Sequence, residues 1–266
     1  MLNQFFKSNR IYVHVVLLIC MASLGSCTSG TSSFTLLSPD GELQLQFAVN
    51  QTGKATYQVK RNESIVLSTS DLGIKGTKYN FTANLKLGKV SEIVTKSEEY
   101  AMVQGKEAKI TYTYNEQAFT LLNTAGEELS ITFRLSDDGV AFQYLFPTDD
   151  DALITEELTF FRFPEGTQMF AQPMSVAKTG WEQTNPSYEE RYEQNIPVGT
   201  ASPLGAGWVF PTLFELDDTW VLLSEAGLGP DYCGARLIAD TVSKAMKIGF
   251  PPAVEVYTDK GHLDRK

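Results

Sequence analysis

The chain has 266 residues, with 22 Lys and Arg against 32 Asp and Glu and a formal net charge of −10. No run of Lys or Arg could track a phosphate backbone, and the acidic balance argues against nucleic acid and anionic membrane faces as partners. Neutral ligands such as sugars are indifferent to that field.

The first 26 residues read as a targeting leader rather than as part of a fold. Lys7 and Arg10 form a positive n-region, and Ile11 to Ile19 (IYVHVVLLI) form an apolar stretch too short to span a bilayer. Leu24-Gly25-Ser26-Cys27 follows and resembles the lipobox of a bacterial lipoprotein. Small residues admit the peptidase to the backbone, and the thiol carries the lipid, whose buried methylenes each contribute about 0.8 kcal/mol to anchoring. Cys27 is therefore the expected lipid attachment site, with a plain secretory signal ending near Ser26 as the alternative. Thr28 carries no inner-membrane retention signal, so the expected location is the cell envelope at the outer membrane.

Cleavage there would leave Cys27 to Lys266, 240 residues with 20 basic and 32 acidic side chains, a net charge of −12. Cys233 is then the one cysteine besides the acylated Cys27, so no disulfide framework is expected. His262 is the one remaining histidine, which leaves no His-based zinc site or Ser-His-Asp triad away from the C-terminus.

Thr28 to Ser33 (TSGTSS) reads as a flexible tether. From Phe34 onward the apolar period is two. Leu43, Leu45, Phe47 and Val49 share one face, and the alternation returns in KITYTYN (109–115), LSITFRL (129–135) and VAFQYLF (140–146). Between the last two, the Asp138-Gly139 step is expected to supply the positive φ of a tight hairpin turn. Further strands are expected at LTFFRF (158–163), WVFPTLFEL (208–216), TWVLLSE (219–225) and ARLIAD (235–240). Turn residues recur at Ser38-Pro39-Asp40-Gly41, Asn123-Thr124-Ala125-Gly126 and Asp217-Asp218. Helices should be few and short, since no segment beyond about ten residues shows a clean 3.6 period. The pattern predicts an all-β antiparallel sandwich or barrel.

Several strings, in order, resemble the N-terminal domain of glycoside hydrolase family 97. They are Leu37-Ser38-Pro39-Asp40-Gly41, Lys54 to Val59, Ser70-Asp71-Leu72-Gly73-Ile74, Phe133 to Phe142, Ser187-Tyr188-Glu189, Ser224-Glu225-Ala226 and Asp231-Tyr232. The resemblance implies a large two-sheet β supersandwich, similar to galactose mutarotase domains, that packs on a catalytic (β/α)₈ barrel. In that family the catalytic carboxylates belong to the barrel, and glycoside hydrolysis needs two of them about 5 to 9.5 Å apart. The sequence stops at Lys266, and the closing strands and linker helix do not fit after Phe250-Pro251-Pro252. The domain over 34–266 is thus expected to be incomplete at its C-terminal end, to carry no catalytic residue and to be inactive alone.

One functional residue follows from the resemblance. The family's N-terminal domain lends a glutamate to a calcium ion beside the barrel's active site, and the matching position is Glu189, with Glu190 and Glu193 as register alternatives. Calcium takes six to eight oxygens, so a loop carboxylate suits it, and the ion can assist departure of the glycosidic oxygen as a Lewis acid. Glu225, at the end of an apolar strand, is a candidate for contact with substrate or barrel, and Trp181 for stacking on a sugar ring. Trp208 is an aromatic platform of the same kind, although in a β sandwich a tryptophan such as Trp181 or Trp208 is more often core. Two functions remain open: the non-catalytic domain of an α-glucosidase or α-galactosidase, or a stand-alone, lipid-anchored carbohydrate-binding module.

Overall fold

Period-two patterning becomes strand throughout the structure, a computed structural model that describes residues 32–146, 152–174, 191–229 and 232–251. Four strands open the domain as an antiparallel meander: β1 (Ser33–Leu37), β2 (Leu43–Val49), β3 (Ala55–Arg61) and β4 (Ser64–Leu72). The short β5 (Ile74–Gly76) and β6 (Asn80–Phe81) pair with each other, and β7 (Lys86–Val90) and β8 (Val94–Ala101) run along one edge of the long β9 (Lys109–Leu122). On its other side β9 pairs β10 (Glu128–Leu135), which pairs β11 (Val140–Leu145).

The remaining strands are shorter. They are β12 (Ile154–Glu157), β13 (Phe160–Phe161), β14 (Gln168–Ala171), β15 (Glu193–Pro197), β16 (Thr212–Leu216), β17 (Thr219–Leu223), β18 (Arg236–Asp240) and β19 (Ala245–Gly249). They form the sheets β12-β5-β6, β13-β19-β18 and β15-β14-β16-β17. Every pairing is antiparallel, and the described residues contain no helix. The expected fold class therefore stands, without even the few short helices anticipated.

Alternation places one face of each sheet in the core. Leu43, Leu45 and Phe47 of β2 are buried, as are Leu129, Ile131, Phe133 and Leu135 of β10. The two sheets meet through aromatic rings. Phe47 lies 4.3 Å from Phe119 and 5.7 Å from Phe133, and Tyr57 closes the cluster at 6.4 Å from Phe133. Such tilted pairs contribute about 0.5–1.5 kcal/mol each beyond their burial. A second aromatic pair, Phe163 stacked on Phe214 at 4.1 Å, anchors the β14–β17 sheet.

Single-residue bridges join the small sheets. Ser68 bridges Arg162, linking β4 to the segment after β13, and Trp208 bridges Leu237 on one side and Pro173 on the other. Trp208 is fully buried, which decides for core over sugar platform, and its indole N–H donates to the Thr200 carbonyl at 3.0 Å.

Three expectations need correction. Gly139 does not adopt positive φ, whereas Gly41 (80°) and Gly126 (83°) do. The reason is loop length: Leu135 pairs Val140, so four residues make the turn, and a loop of that length is built around an ordinary turn rather than a primed one. The Ser136 amide donates to the Gly139 carbonyl at 3.0 Å, and the Ser136 hydroxyl to Asp138 Oδ1 at 2.7 Å. The run 208–216 is a strand only from Thr212, because Pro211 has no amide to donate to a ladder. The run 158–163 yields only the two-residue β13.

Truncating Phe133 to Ala would leave a cavity between the two large sheets. The expected cost is about 3–5 kcal/mol of unfolding free energy, read from urea denaturation; a loss below about 1 kcal/mol would mean that this aromatic cluster is not the core.

Candidate functional site

The residues that could do chemistry gather where β12 ends and where the chain leaves β17. Glu157 is the last residue of β12 and is half-buried. The Thr159 hydroxyl donates to its Oε1 at 2.6 Å. Having only one hydrogen, Thr159 must accept from Tyr144, whose hydroxyl oxygen lies 2.9 Å away and itself accepts the Gly73 amide at 3.2 Å. The chain of donors therefore runs one way, from Gly73 through Tyr144 and Thr159 to the Glu157 carboxylate.

Glu225 sits two residues past β17. Its two oxygens lie 3.3 and 3.1 Å from the Ala235 amide, and the Tyr232 hydroxyl donates to Oε1 at 3.2 Å. The carboxylate thus ties the chain after β17 to the residue that precedes β18. Burial pushes the Glu157 carboxyl above its usual range, Thr159 pulls it back, and the nearby Glu225 charge adds to the rise. Burial also pushes Glu225 up, against the Ala235 amide and Tyr232. The Tyr232 hydroxyl is raised chiefly by burial and further by the Glu157 and Glu225 charges.

This arrangement holds the backbone more than it presents reactive groups. Glu225 is only partly buried, but both its oxygens are engaged, by the Ala235 amide and by Tyr232. Sequence reasoning singled out Glu225 and missed Glu157, which stands in Thr155-Glu156-Glu157, a string that reads as solvated surface. The one available signal was Thr159 two residues on.

Of the other candidates, Glu193 opens β15 and is exposed. Cys27, Trp181, Glu189 and Glu190 lie outside the described residues. Among the described residues, no group of three or more His, Cys, Asp or Glu is placed to hold a metal ion. The sequence reading did not single out Trp220, which stands 53% exposed on the outer face of β17, 5.6 Å from Phe170 of β14.

The strand order and core define an all-β sandwich domain. The family model described as "Glycosyl-hydrolase 97 N-terminal" matches residues 36–257, and the chain belongs to that family. A probable retaining alpha-galactosidase of Streptomyces bingchenggensis (strain BCW-1) is 29% identical over 213 residues, covering 80% of this chain and 31% of that protein. The crystal structure of a beta-arabinopyranosidase superposes with a TM-score of 0.77 at 38% identity, covering 83% of this chain and 36% of that one. A glycoside hydrolase family 97 enzyme from Pseudoalteromonas sp. strain K8, in complex with panose, shares the fold with a TM-score of 0.67 at 23% identity, covering 82% of this chain and 32% of that one. The chain spans about a third of the length of these relatives.

A folded state that holds protons more tightly than the unfolded chain loses stability as pH rises. Glu157 and Glu225, both raised above the ordinary 4.5, should therefore lower stability progressively from about that pH upward, until both are ionised. Glu157→Gln keeps an acceptor for Thr159 and removes one titration. Its stability relative to the parent chain should rise with pH through that window in parallel thermal melts. A difference that stays flat with pH would show that Glu157 titrates normally.

Proposed function

We propose that this chain is the β domain with which a family 97 α-glycosidase completes its active site, acting on an α-glucoside or α-galactoside. The observation that carries the reading is the family match over 36–257, which spans Ser187-Tyr188-Glu189. In this reading Glu189 supplies one carboxylate to a calcium ion, with Glu190 and Glu193 as register alternatives, and a catalytic barrel supplies the other oxygens and the two catalytic carboxylates. Glu225, engaged with Ala235 and Tyr232, is in this reading a residue that would contact the barrel or its substrate. The chain is anchored through Cys27 at the outer membrane, as the Leu24-Gly25-Ser26-Cys27 string suggests.

A second reading, a carbohydrate-binding module, draws support from the outer face of the β14–β17 sheet. Trp220 and Phe170 present an aromatic surface there, beside the cross-strand partners Gln168 and Glu215. Aromatic faces of this kind stack on sugar rings, and amide and carboxylate neighbours bind their hydroxyls.

The purified chain should leave aryl α-glucosides and α-galactosides uncleaved, with or without calcium. Combined in trans with a family 97 catalytic barrel, it should support calcium-dependent hydrolysis. Glu189→Gln should then lower both calcium affinity and turnover, with Glu190→Gln doing much less. Calcium-dependent cleavage by the chain alone would overturn the reading. Binding of soluble α-glucan that is lost in Trp220→Ala, without any rescue of a barrel, would favour the second.

For the anchor, Cys27→Ala should leave an unprocessed or soluble protein in cell fractionation. A parent chain found wholly in the soluble periplasm, with no lipid mass on its N-terminal peptide, would rule anchoring out.

A further inference from the structure

Strand β8 runs beyond the sandwich. It pairs β9 over Lys109–Glu116, while β10 pairs β9 only from Asn115 to Leu122. Residues 94–101 and 109–114 thus form a two-stranded ribbon, and every residue of β8 is exposed. A two-stranded ribbon without a third strand is marginal in water, and among the described residues no strand pairs the outer edge of β8, which presents backbone donors and acceptors. The ribbon is nonetheless well braced on one face. Lys96 pairs Glu116 at 2.6 Å, Arg134 meets Glu116 at 2.7 Å, and the Tyr114 hydroxyl donates to Glu98 at 2.5 Å. That bond to Glu98, with burial, pushes the Tyr114 hydroxyl up to about 12.

From this edge we infer that the chain forms a two-fold dimer by antiparallel pairing of β8 with β8 of a second copy, centred on Ser97. The register follows from charge. Residues directly opposite in an antiparallel pair point to the same face, so a two-fold axis between identical strands must pass through a residue that faces itself. Centring on Lys96 sets lysine against lysine, and centring on Glu98 or Glu99 sets glutamate against glutamate. Centring on Ser97 sets Lys96 opposite Glu98 twice, Val94 opposite Tyr100 twice and Thr95 opposite Glu99 twice, with Ser97 facing Ser97.

The apolar pair has a reason to form, because Val94 and Tyr100 are each about half exposed in the single chain. Opposite charges and aromatic–β-branched pairs across antiparallel strands favour pairing, while like charges oppose it. The product is a four-stranded sheet in the order β9-β8-β8-β9, which removes the free edge and supplies the third and fourth strands that the ribbon lacks.

The test is the oligomeric state of the purified chain by sedimentation across a concentration series. The parent chain should approach twice its protomer mass. Lys96→Glu and Glu98→Lys should each be monomeric, because each sets like charges opposite one another, and the double variant K96E/E98K should dimerise again. A folded Ser97→Cys chain, with the exposed Cys233 replaced by Ser, should oxidise to a dimer whose linked peptides both contain residue 97. A parent chain that stays monomeric, a dimer that survives either single reversal, or a double variant that folds with an unchanged circular dichroism spectrum yet stays monomeric would overturn the inference. So would a cross-link that does not form through residue 97.

Discussion

The second half of the domain depends on one three-residue segment. Trp208 gives its amide to the Leu237 carbonyl at 2.8 Å and takes the Leu237 amide at 2.9 Å. On either side of it, Gly207 accepts from Met174 at 2.8 Å and Val209 donates to Gln172 at 2.9 Å. Among the described residues the sheets β13-β19-β18 and β15-β14-β16-β17 share no ladder, and these bonds join them. Such close approach demands glycine at 207. Its φ is 95°, and a Cβ there would lie 2.7 Å from the Ile238 side chain and 2.8 Å from the Leu237 carbonyl oxygen. Both the conformation and the space are denied to any other residue.

That stitch also places the carboxylate cluster. Leu237 is held by Trp208, its neighbour Arg236 donates to the Ala206 carbonyl at 3.0 Å, and Ala235, one residue earlier, carries the amide that Glu225 accepts. Glu225 is therefore fixed from a distance, through the start of β18, by the packing of Trp208. Glu157 approaches from a different sheet, positioned by β5 on one side and by the Tyr144–Thr159 donors on the other. Two acids brought together by independent elements cost stability when both are charged, because burial removes water from each while their charges repel. The one-way chain of donors from Gly73 offsets part of that cost at Glu157, and the Ala235 amide and Tyr232 offset part of it at Glu225.

Much of the fold was legible because β-strand burial has a period of two and needs only local sequence to show it. Leu43, Leu45 and Phe47 announce their face, and β9 and β10 do the same. Trp208 was legible only as core or platform, core being the commoner place for a tryptophan in a sandwich, and its bridging role was not legible, since Leu237 and Pro173 are distant in sequence. Glycine chemistry was legible where a turn was tight, at Gly41 and Gly126, and misleading at Gly139, where loop length decided the geometry. The carboxylate cluster was half legible. Glu225 stood out at the end of an apolar strand, while Glu157 became distinctive only once tertiary contacts had buried it and brought Tyr144 to Thr159.

The strings that carry the family resemblance have a physical meaning of their own, and here it is mostly architectural. In the first, the Ser38 hydroxyl donates to Asp40 Oδ1 at 2.6 Å and accepts the Leu43 amide at 2.9 Å, fixing the turn into β2. Ser38 and the Glu42 amide between them hold the Asp40 carboxyl below its usual range. The Asp40 amide in turn donates to Asp137 Oδ1 at 3.0 Å, so the first string and the turn after β10 brace each other across 97 residues of chain. Asp71, in the third string, pairs with Arg162 at 2.9 Å beside the bridge from Ser68, and so helps to dock β13 against β4. A family recognised by such residues is recognised by how its sandwich closes. Its chemistry has to be carried by residues outside those turns, which is why the match to the family identifies the scaffold more firmly than it identifies the sugar.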